Sequence, residues 1–240
     1  MPSYRTKLAR REEVAEGTMA FYFEKPAGLD FKAGQFLNYT LLDPPETDAE
    51  GNLRSFSIAS APFEEDLLVA TRLRDTAFKR VLRTMPLGTE IQAEGPFGSF
   101  TLHVDASRPA VFLAGGIGIT PFRSMILEAS KKRLPHPLFL FYSNRRPEDA
   151  AFLQELQEME RQNPNYRFIG TMTKLVDSKR PWHGETGFIS ATLLNRVMGH
   201  LAAPIYYSAG PPAMVAAMRS MLTESGVSED QIRAEDFAGY

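Results

Sequence analysis

The chain has 240 residues, 43% of them hydrophobic and 23% charged, with a formal net charge of -2. This is the make-up of a self-folding globular protein of one large or two small domains, without the basic balance that nucleic-acid or membrane-surface binding requires. Cysteine is absent, so within this sequence disulfides, thiolate nucleophiles and Cys-ligated iron–sulfur clusters are excluded, and redox chemistry has to come from a bound organic cofactor.

Residues 1–13 are charged, and no run reaches the roughly 18 apolar residues of a membrane span, so no membrane role and a cytoplasmic setting are expected. Short β-rich stretches follow at 18–23, 35–42, 54–59, 67–73 and 90–93, separated by Gly, Pro and Asp turns. That spacing predicts an antiparallel barrel or sandwich, with the acidic, Pro-containing loop 43–53 as its most mobile part. After Asp105-Ala106-Ser107-Arg108-Pro109 the grain changes. Apolar runs at 110–114, 138–142, 166–170 and 205–208 alternate with helical stretches, the pattern of a parallel sheet wrapped by helices. Pro147-Glu148-Asp149 is expected to open a helix carrying Phe152, Leu153, Leu156 and Met159 on one face. Met214, Val215, Met218, Met221 and Leu222 mark a later helix that Gly226 ends. No internal repeat or low-complexity tract interrupts the chain.

Three segments carry chemistry. Arg54-Ser55-Phe56-Ser57-Ile58-Ala59-Ser60 joins a cation, an aromatic face and hydroxyls on a strand, which suits a flavin nucleotide. Gly115-Gly116-Ile117-Gly118-Ile119-Thr120-Pro121 follows an apolar strand, its glycines allowing close approach and its Pro121 fitting the first turn of a helix whose amides face an anion. The spacing is not Gly-x-Gly-x-x-Gly, since Pro121 stands where the third glycine belongs. Ala209-Gly210-Pro211-Pro212 is a second turn after an apolar run. His103, His136, His183 and His200 lack metal-ligand spacing and read as surface or structural, so no metal is expected. No Gly-x-Ser-x-Gly elbow is present.

In this order and company the segments resemble those of the ferredoxin-NADP reductase family of flavoproteins, over almost the whole chain. The resemblance implies a six-stranded antiparallel β-barrel binding FAD or FMN over 1–106, and an α/β parallel-sheet domain binding NAD(P)H over 107–240. The split read from grain alone falls at the same place. It implies that Arg54 pairs with the flavin pyrophosphate, that Phe56 stacks on the ring in place of the usual tyrosine, and that Ser57 lies near N5. Ser55 and Thr71 join the same site. Asp75-Thr76-Ala77-Phe78-Lys79 resembles the second flavin segment, with Thr76 as helix cap and Thr76, Ala77 and Phe78 at the cofactor, although the family's glycine and serine are missing here.

By the same resemblance Gly115, Gly116, Gly118 and Thr120 receive the dinucleotide, with Thr120 near the nicotinamide. Gly210, Pro211 and Pro212 complete that site, and Ala209 replaces the family's cysteine. Asn144, Arg145, Thr173 and Lys174 fall at adenosine-ribose positions, where Arg145 or Lys174 favours NADPH and Glu185 opposes its phosphate. Tyr240 is placed to cover the flavin, which with Ser57 and Thr120 makes three residues at the reacting centre. The implied activity is an oxidoreductase that passes hydride from NAD(P)H to bound FAD, then electrons to a ferredoxin, a flavodoxin, a hydroxylase component or a small-molecule acceptor. A flavin reductase using free flavin and a non-catalytic electron-relay subunit are the alternatives.

Overall fold

The computed structural model describes residues 2–237. The first half consists of β1 (Ser3–Ala15), β2 (Thr18–Glu24), β3 (Phe36–Leu41), β4 (Leu53–Ser57), β5 (Asp66–Arg72), α1 (Ala77–Thr84) and β6 (Glu90–Phe97). The six strands pair antiparallel in the order β4-β3-β6-β1-β2-β5. The Ala59 N–H donates to the Leu68 carbonyl at 2.8 Å, so the chain leaving β4 meets β5 and the sheet curls into a barrel. β3 shows why the pleat faces as it does: Leu37, Tyr39 and Leu41 alternate inward while Phe36, Asn38 and Thr40 remain partly exposed. α1 starts where the Thr76 side chain accepts from the Lys79 N–H, as its sequence predicts, and buries Phe78, Val81 and Leu82 against the barrel.

The charged N-terminal stretch lies in the 13-residue strand β1, Ser3–Ala15. Leu8 is fully buried and the Thr6 hydroxyl donates to the Glu24 carbonyl at 2.5 Å, while Arg5, Lys7 and Arg10 are exposed. Two inward side chains suffice when β2 and β6 pair on both sides of the strand.

The second half holds β7 (Ala110–Gly115), α2 (Ile119–Lys131), β8 (Leu138–Asn144), α3 (Leu153–Gln162), β9 (Tyr166–Met172), β10 (Glu185–Thr186), α4 (Ala191–Met198), β11 (Ile205–Gly210), α5 (Pro212–Glu224) and β12 (Ile232–Asp236). Its sheet is parallel throughout, in the order β10-β9-β8-β7-β11-β12. β7 and β11 are buried along their whole length, as central strands covered on both faces must be. One expectation needs correction. Pro147–Asp149 forms a separate 3-10 turn, and Phe152, with φ 58°, interrupts it before α3 begins at Leu153, because a left-handed residue cannot continue a right-handed helix. Glu235 and Asp236 end β12, which pairs with β11.

The two halves share one core. Ala59, Ala61, Leu68 and Ala70 of the barrel pack in the same cluster as Phe112, Phe122, Met125 and Ile126, whereas α4 and α5 cover the far face of the parallel sheet on Val111 and Leu113. Burying a side chain such as Phe122, 0% exposed, contributes about 1.5–3 kcal/mol, so this junction is part of the fold's stability.

A second tie crosses between the halves. The His103 N–H donates to the Tyr207 hydroxyl at 2.8 Å, its ring nitrogens lie 3.0 Å from that hydroxyl and from the Arg108 carbonyl, and His136 Nε2 lies 2.9 Å from the His103 carbonyl. Burial depresses the His103 pKa, against the opposing bond to Arg108. The unfolded chain therefore binds the extra proton first, and stability is lost as pH falls below about 6.5. The expected result is a thermal midpoint that drops between pH 7 and 5, with a shallower drop in His103→Gln. Parallel curves for the two proteins would assign the effect elsewhere.

Candidate active-site cleft

β7 and β11 are neighbours in the sheet but their following turns lead away in opposite directions, which opens a crevice at the carboxyl ends of the strands. The glycine turn after β7 and the Gly-Pro-Pro turn after β11, some ninety residues apart in sequence, meet there. A Cβ on Gly118 would lie 2.1 Å from the Ala209 carbonyl oxygen, and one on Gly210 would lie 2.9 Å from that of Gly115. Only backbone without side chains fits so closely. Pro212 occupies the first turn of α5, where a missing N–H costs nothing. Residues 116–118 form a 3-10 turn running into α2, and the Ile119 N–H bonds back to Gly116 and Ile117. The anion-facing amides therefore belong to the turn rather than to the helix proper.

Between the barrel and this crevice lies a cleft of about 690 Å³. Barrel residues Arg54, Ser55, Phe56, Ser57, Thr71 and Thr76 line one side, and Thr120 and residues 234–237 line the other. That size suits a large planar ligand. Phe56 rests on Phe78, ring centroids 5.9 Å apart, and Phe78 is 2% exposed, so Phe78 backs the cleft wall rather than facing it. The Ser57 hydroxyl has no hydrogen-bond partner among the described residues and is left for a ligand. The Thr120 hydroxyl, by contrast, donates to the Ile117 carbonyl at 3.2 Å and braces its own turn.

The phosphate end is less simple. Arg54 is held by Glu50 at 2.7 Å and Asp48 at 3.5 Å, and it also donates to the Gly51 and Leu53 carbonyls. The Ala77 N–H at the start of α1 donates to Asp48 Oδ2 at 2.8 Å. The donors expected to bind a flavin pyrophosphate thus face carboxylates of loop 43–53. Lys79 joins the cluster, its pKa pushed down to about 8 by burial and then by Arg74 and Arg54.

Asn144, Arg145, Thr173 and Lys174 come together at the ends of β8 and β9, where the Thr173 and Lys174 N–H groups donate to the Asn144 and Arg145 carbonyls at 2.9 and 2.8 Å. Arg145 and Lys174 are exposed and have no ion-pair partner among the described residues. Glu185 pairs with Arg196 at 2.6 Å, so its carboxylate is neutralised. Tyr240 lies outside the described residues.

Sequence reading missed Glu235 and Phe237. β12 brings both to the cleft, where the Phe237 N–H donates to the Gly210 carbonyl at 3.0 Å. Burial raises the Glu235 pKa to about 7. A terminal Ile-Arg-Ala-Glu-Asp run is too charged and short to announce a strand, and only its parallel pairing with β11 gives it a fixed place.

An antiparallel barrel and a parallel sheet with a cleft at their junction, fed by a glycine turn, define a two-domain fold of barrel and α/β type. Residues 112–220 match the family described as the oxidoreductase NAD-binding domain. The chain is 29% identical over 243 residues to the reductase component of propane 2-monooxygenase from Rhodococcus jostii (strain RHA1), covering 97% of this chain and 63% of that protein. It is 27% identical over 210 residues to reductase component 2 of terephthalate 1,2-dioxygenase from Comamonas sp, covering 87% and 60%. It superposes on a ferredoxin NADP+ reductase from Neisseria gonorrhoeae, solved with bound FAD and NADP, with a TM-score of 0.81, 22% identity and coverage of 98% and 99%. The chain spans about three fifths of the length of these curated relatives. No helix among the described residues is long and apolar enough to cross a membrane.

Proposed function

We propose that this chain is a flavin-dependent NAD(P)H oxidoreductase that supplies electrons to an external acceptor: a ferredoxin, a flavodoxin, the oxygenase component of a monooxygenase or dioxygenase, or a small molecule. One observation carries the reading: Phe56, Ser57 and Thr71 of the barrel share a single cleft with Thr120 and Glu235 of the parallel sheet. The residues fit FAD at the ring end, where an aromatic face and an unspent hydroxyl meet a small-residue turn. At the phosphate end they fit only when Asp48 and Glu50 release the Ala77 amide and Arg54. FAD, when bound, accepts hydride from NAD(P)H and releases electrons to the acceptor.

In this reading residues 1–106 hold the flavin and 107–240 the nicotinamide nucleotide. Phe56 supplies the stacking surface and Ser57 orients the ring edge. Arg54, Ser55, Thr71, Thr76 and Ala77 hold the rest of the flavin. Gly115, Gly116 and Gly118, with Gly210, Pro211 and Pro212, keep room for the nicotinamide, and Thr120 stiffens that turn. Asn144 and Thr173 face the adenosine ribose. Arg145 and Lys174 are unneutralised cations at that end and favour the phosphate of NADPH, while the Glu185–Arg196 pair removes the repulsion expected from Glu185. A cytoplasmic setting, where NAD(P)H is plentiful, belongs to the same proposal.

Stopped-flow mixing of the flavin-loaded protein with NADPH and with NADH tests it. Bleaching of the flavin absorbance is expected, faster with NADPH. No bleaching with either coenzyme would overturn the reading.

Glu235 holds a proton below pH about 7 and presents a carboxylate above it, at the cleft wall. Acting as the base for the proton released when electrons leave, it should make turnover rise with pH through about 7. Glu235→Gln is expected to flatten that rise while flavin content stays the same. A wild-type profile with no inflection near 7 would remove Glu235 from the mechanism.

A second reading, a flavin reductase that takes flavin as a diffusing substrate, is favoured by the pairing of Asp48 and Glu50 with the phosphate-site donors. Protein that loses its yellow colour on gel filtration yet reduces added flavin would select it.

A further inference from the structure

We infer that Arg123, assisted by Ser124, is a positioning residue that fixes how the glycine turn of the parallel sheet meets the Arg54–Ser57 strand. This rests on the flavin–nicotinamide reading of the cleft. Arg123 lies one helical turn after Thr120 on α2 and is only 5% exposed. Its Nη1 donates to the Ala59 carbonyl at 2.8 Å, two residues beyond Ser57. Glu64, in the β4–β5 connection, accepts from Nη1 and Nη2 at 2.9 and 3.1 Å, and Glu155 of α3 accepts from Nε and Nη2 at 2.7 and 2.6 Å. All five N–H groups of the guanidinium are thereby used. Burial works against the charge, but the bonds to Glu64 and Glu155 outweigh it and raise the Arg123 pKa.

The next residue repeats the connection. The Ser124 hydroxyl donates to the Ser60 carbonyl at 2.7 Å, the Ser60 hydroxyl accepts from the Leu68 N–H at 2.9 Å, and the Ala61 N–H donates to Glu64 Oε2 at 2.6 Å. The β4–β5 connection, α2 and α3 are thus joined at one buried cation. Ser57 and Thr120, which both line the cleft, are each within three residues of this joint. A shift of α2 along the barrel would move the nicotinamide turn relative to the ring-binding strand, and stacked-ring transfer is steeply sensitive to such a shift: a misplacement of about 1 Å costs on the order of 100-fold. Lysine keeps the charge, but three donors on a single nitrogen cannot replace the five bonds that the planar fork makes to Glu64, Glu155 and Ala59.

The test compares wild type, Arg123→Lys and Ser124→Ala in flavin-loaded protein. Three quantities are read: the bleaching rate per bound flavin, the long-wavelength charge-transfer absorbance of stacked nicotinamide and flavin, and the thermal midpoint. Arg123→Lys is expected to slow bleaching on the order of 10- to 100-fold and to lose the charge-transfer band, with flavin content nearly unchanged. Ser124→Ala, a small deletion that leaves Arg123 in place, should show the same direction at a few-fold. Wild-type rate and band in both variants overturn the inference. So does a variant whose rate falls only in proportion to lost flavin or folded protein, since that is what a merely structural tie predicts. A wild type that neither nicotinamide bleaches overturns the reading of the cleft and this inference with it; a normal wild type beside unaltered variants overturns this inference alone.

Discussion

Gly118→Ala is expected to weaken nicotinamide binding by tenfold or more while leaving the flavin in place. The backbone at Gly118 is ordinary, with φ -57°, so conformational strain is not the reason. Space is. An added Cβ would stand 2.1 Å from the Ala209 oxygen, 2.4 Å from its carbonyl carbon and 2.6 Å from the Gly210 nitrogen, all backbone atoms of the adjacent strand. No side chain can rotate out of the way, so the turn or the end of β11 has to move. Overpacking of this kind costs about 1–3 kcal/mol of stability, and the displacement falls where the two turns meet. Titration of the variant with NADPH, followed by flavin absorbance, should show affinity lower by tenfold or more, with a reduced thermal midpoint by calorimetry. Unchanged affinity would mean that this turn is not the dinucleotide receptor.

The second large effect is at Arg54. Arg54→Ala removes a charged donor, worth about 1.5–3 kcal/mol to a phosphate, and it also leaves Glu50 and Asp48 without the guanidinium that now neutralises them. Both changes disfavour an anionic ligand, so flavin affinity should fall by at least one order of magnitude and the purified protein should be pale. Arg54→Lys, which keeps the charge without the planar fork, belongs between the two. The guanidinium also lies 5.4 Å from the Phe78 ring, and a modest loss of stability will accompany the loss of colour. A fully flavinated Arg54→Ala protein would remove this residue from the phosphate site.

Much of the architecture was legible because it repeats. The apolar runs of β7, β8, β9 and β11 recur with helices between, and burial on both faces leaves no other residue types for β7 and β11. The alternating strands 18–23 and 35–42 are equally plain. β1 was illegible since its exposed positions are charged and only Thr6 and Leu8 mark the inner face. The break at Phe152 was hidden for a different reason: helical spacing at Leu153, Leu156 and Met159 is real, but nothing in the residue types shows that Phe152 adopts a left-handed conformation.

The site divides in the same way. Sequence by itself determined the residue types proposed to meet a flavin and a dinucleotide: the Arg54–Ser57 strand, the glycine turn and Gly210-Pro211-Pro212, each a local pattern with a local physical cause. Tertiary structure alone decided which of them meet, because adjacency of β7 and β11 follows from strand order and not from spacing along the chain. It also brought Glu235 and Phe237 to the cleft, set Asp48 and Glu50 against Arg54 and the Ala77 amide, and buried Arg123 between two carboxylates. Most of those contacts join residues tens of positions apart, the exception being Arg54 with Asp48 and Glu50, and a charged side chain reads the same in sequence whether it faces water or a partner across a domain junction.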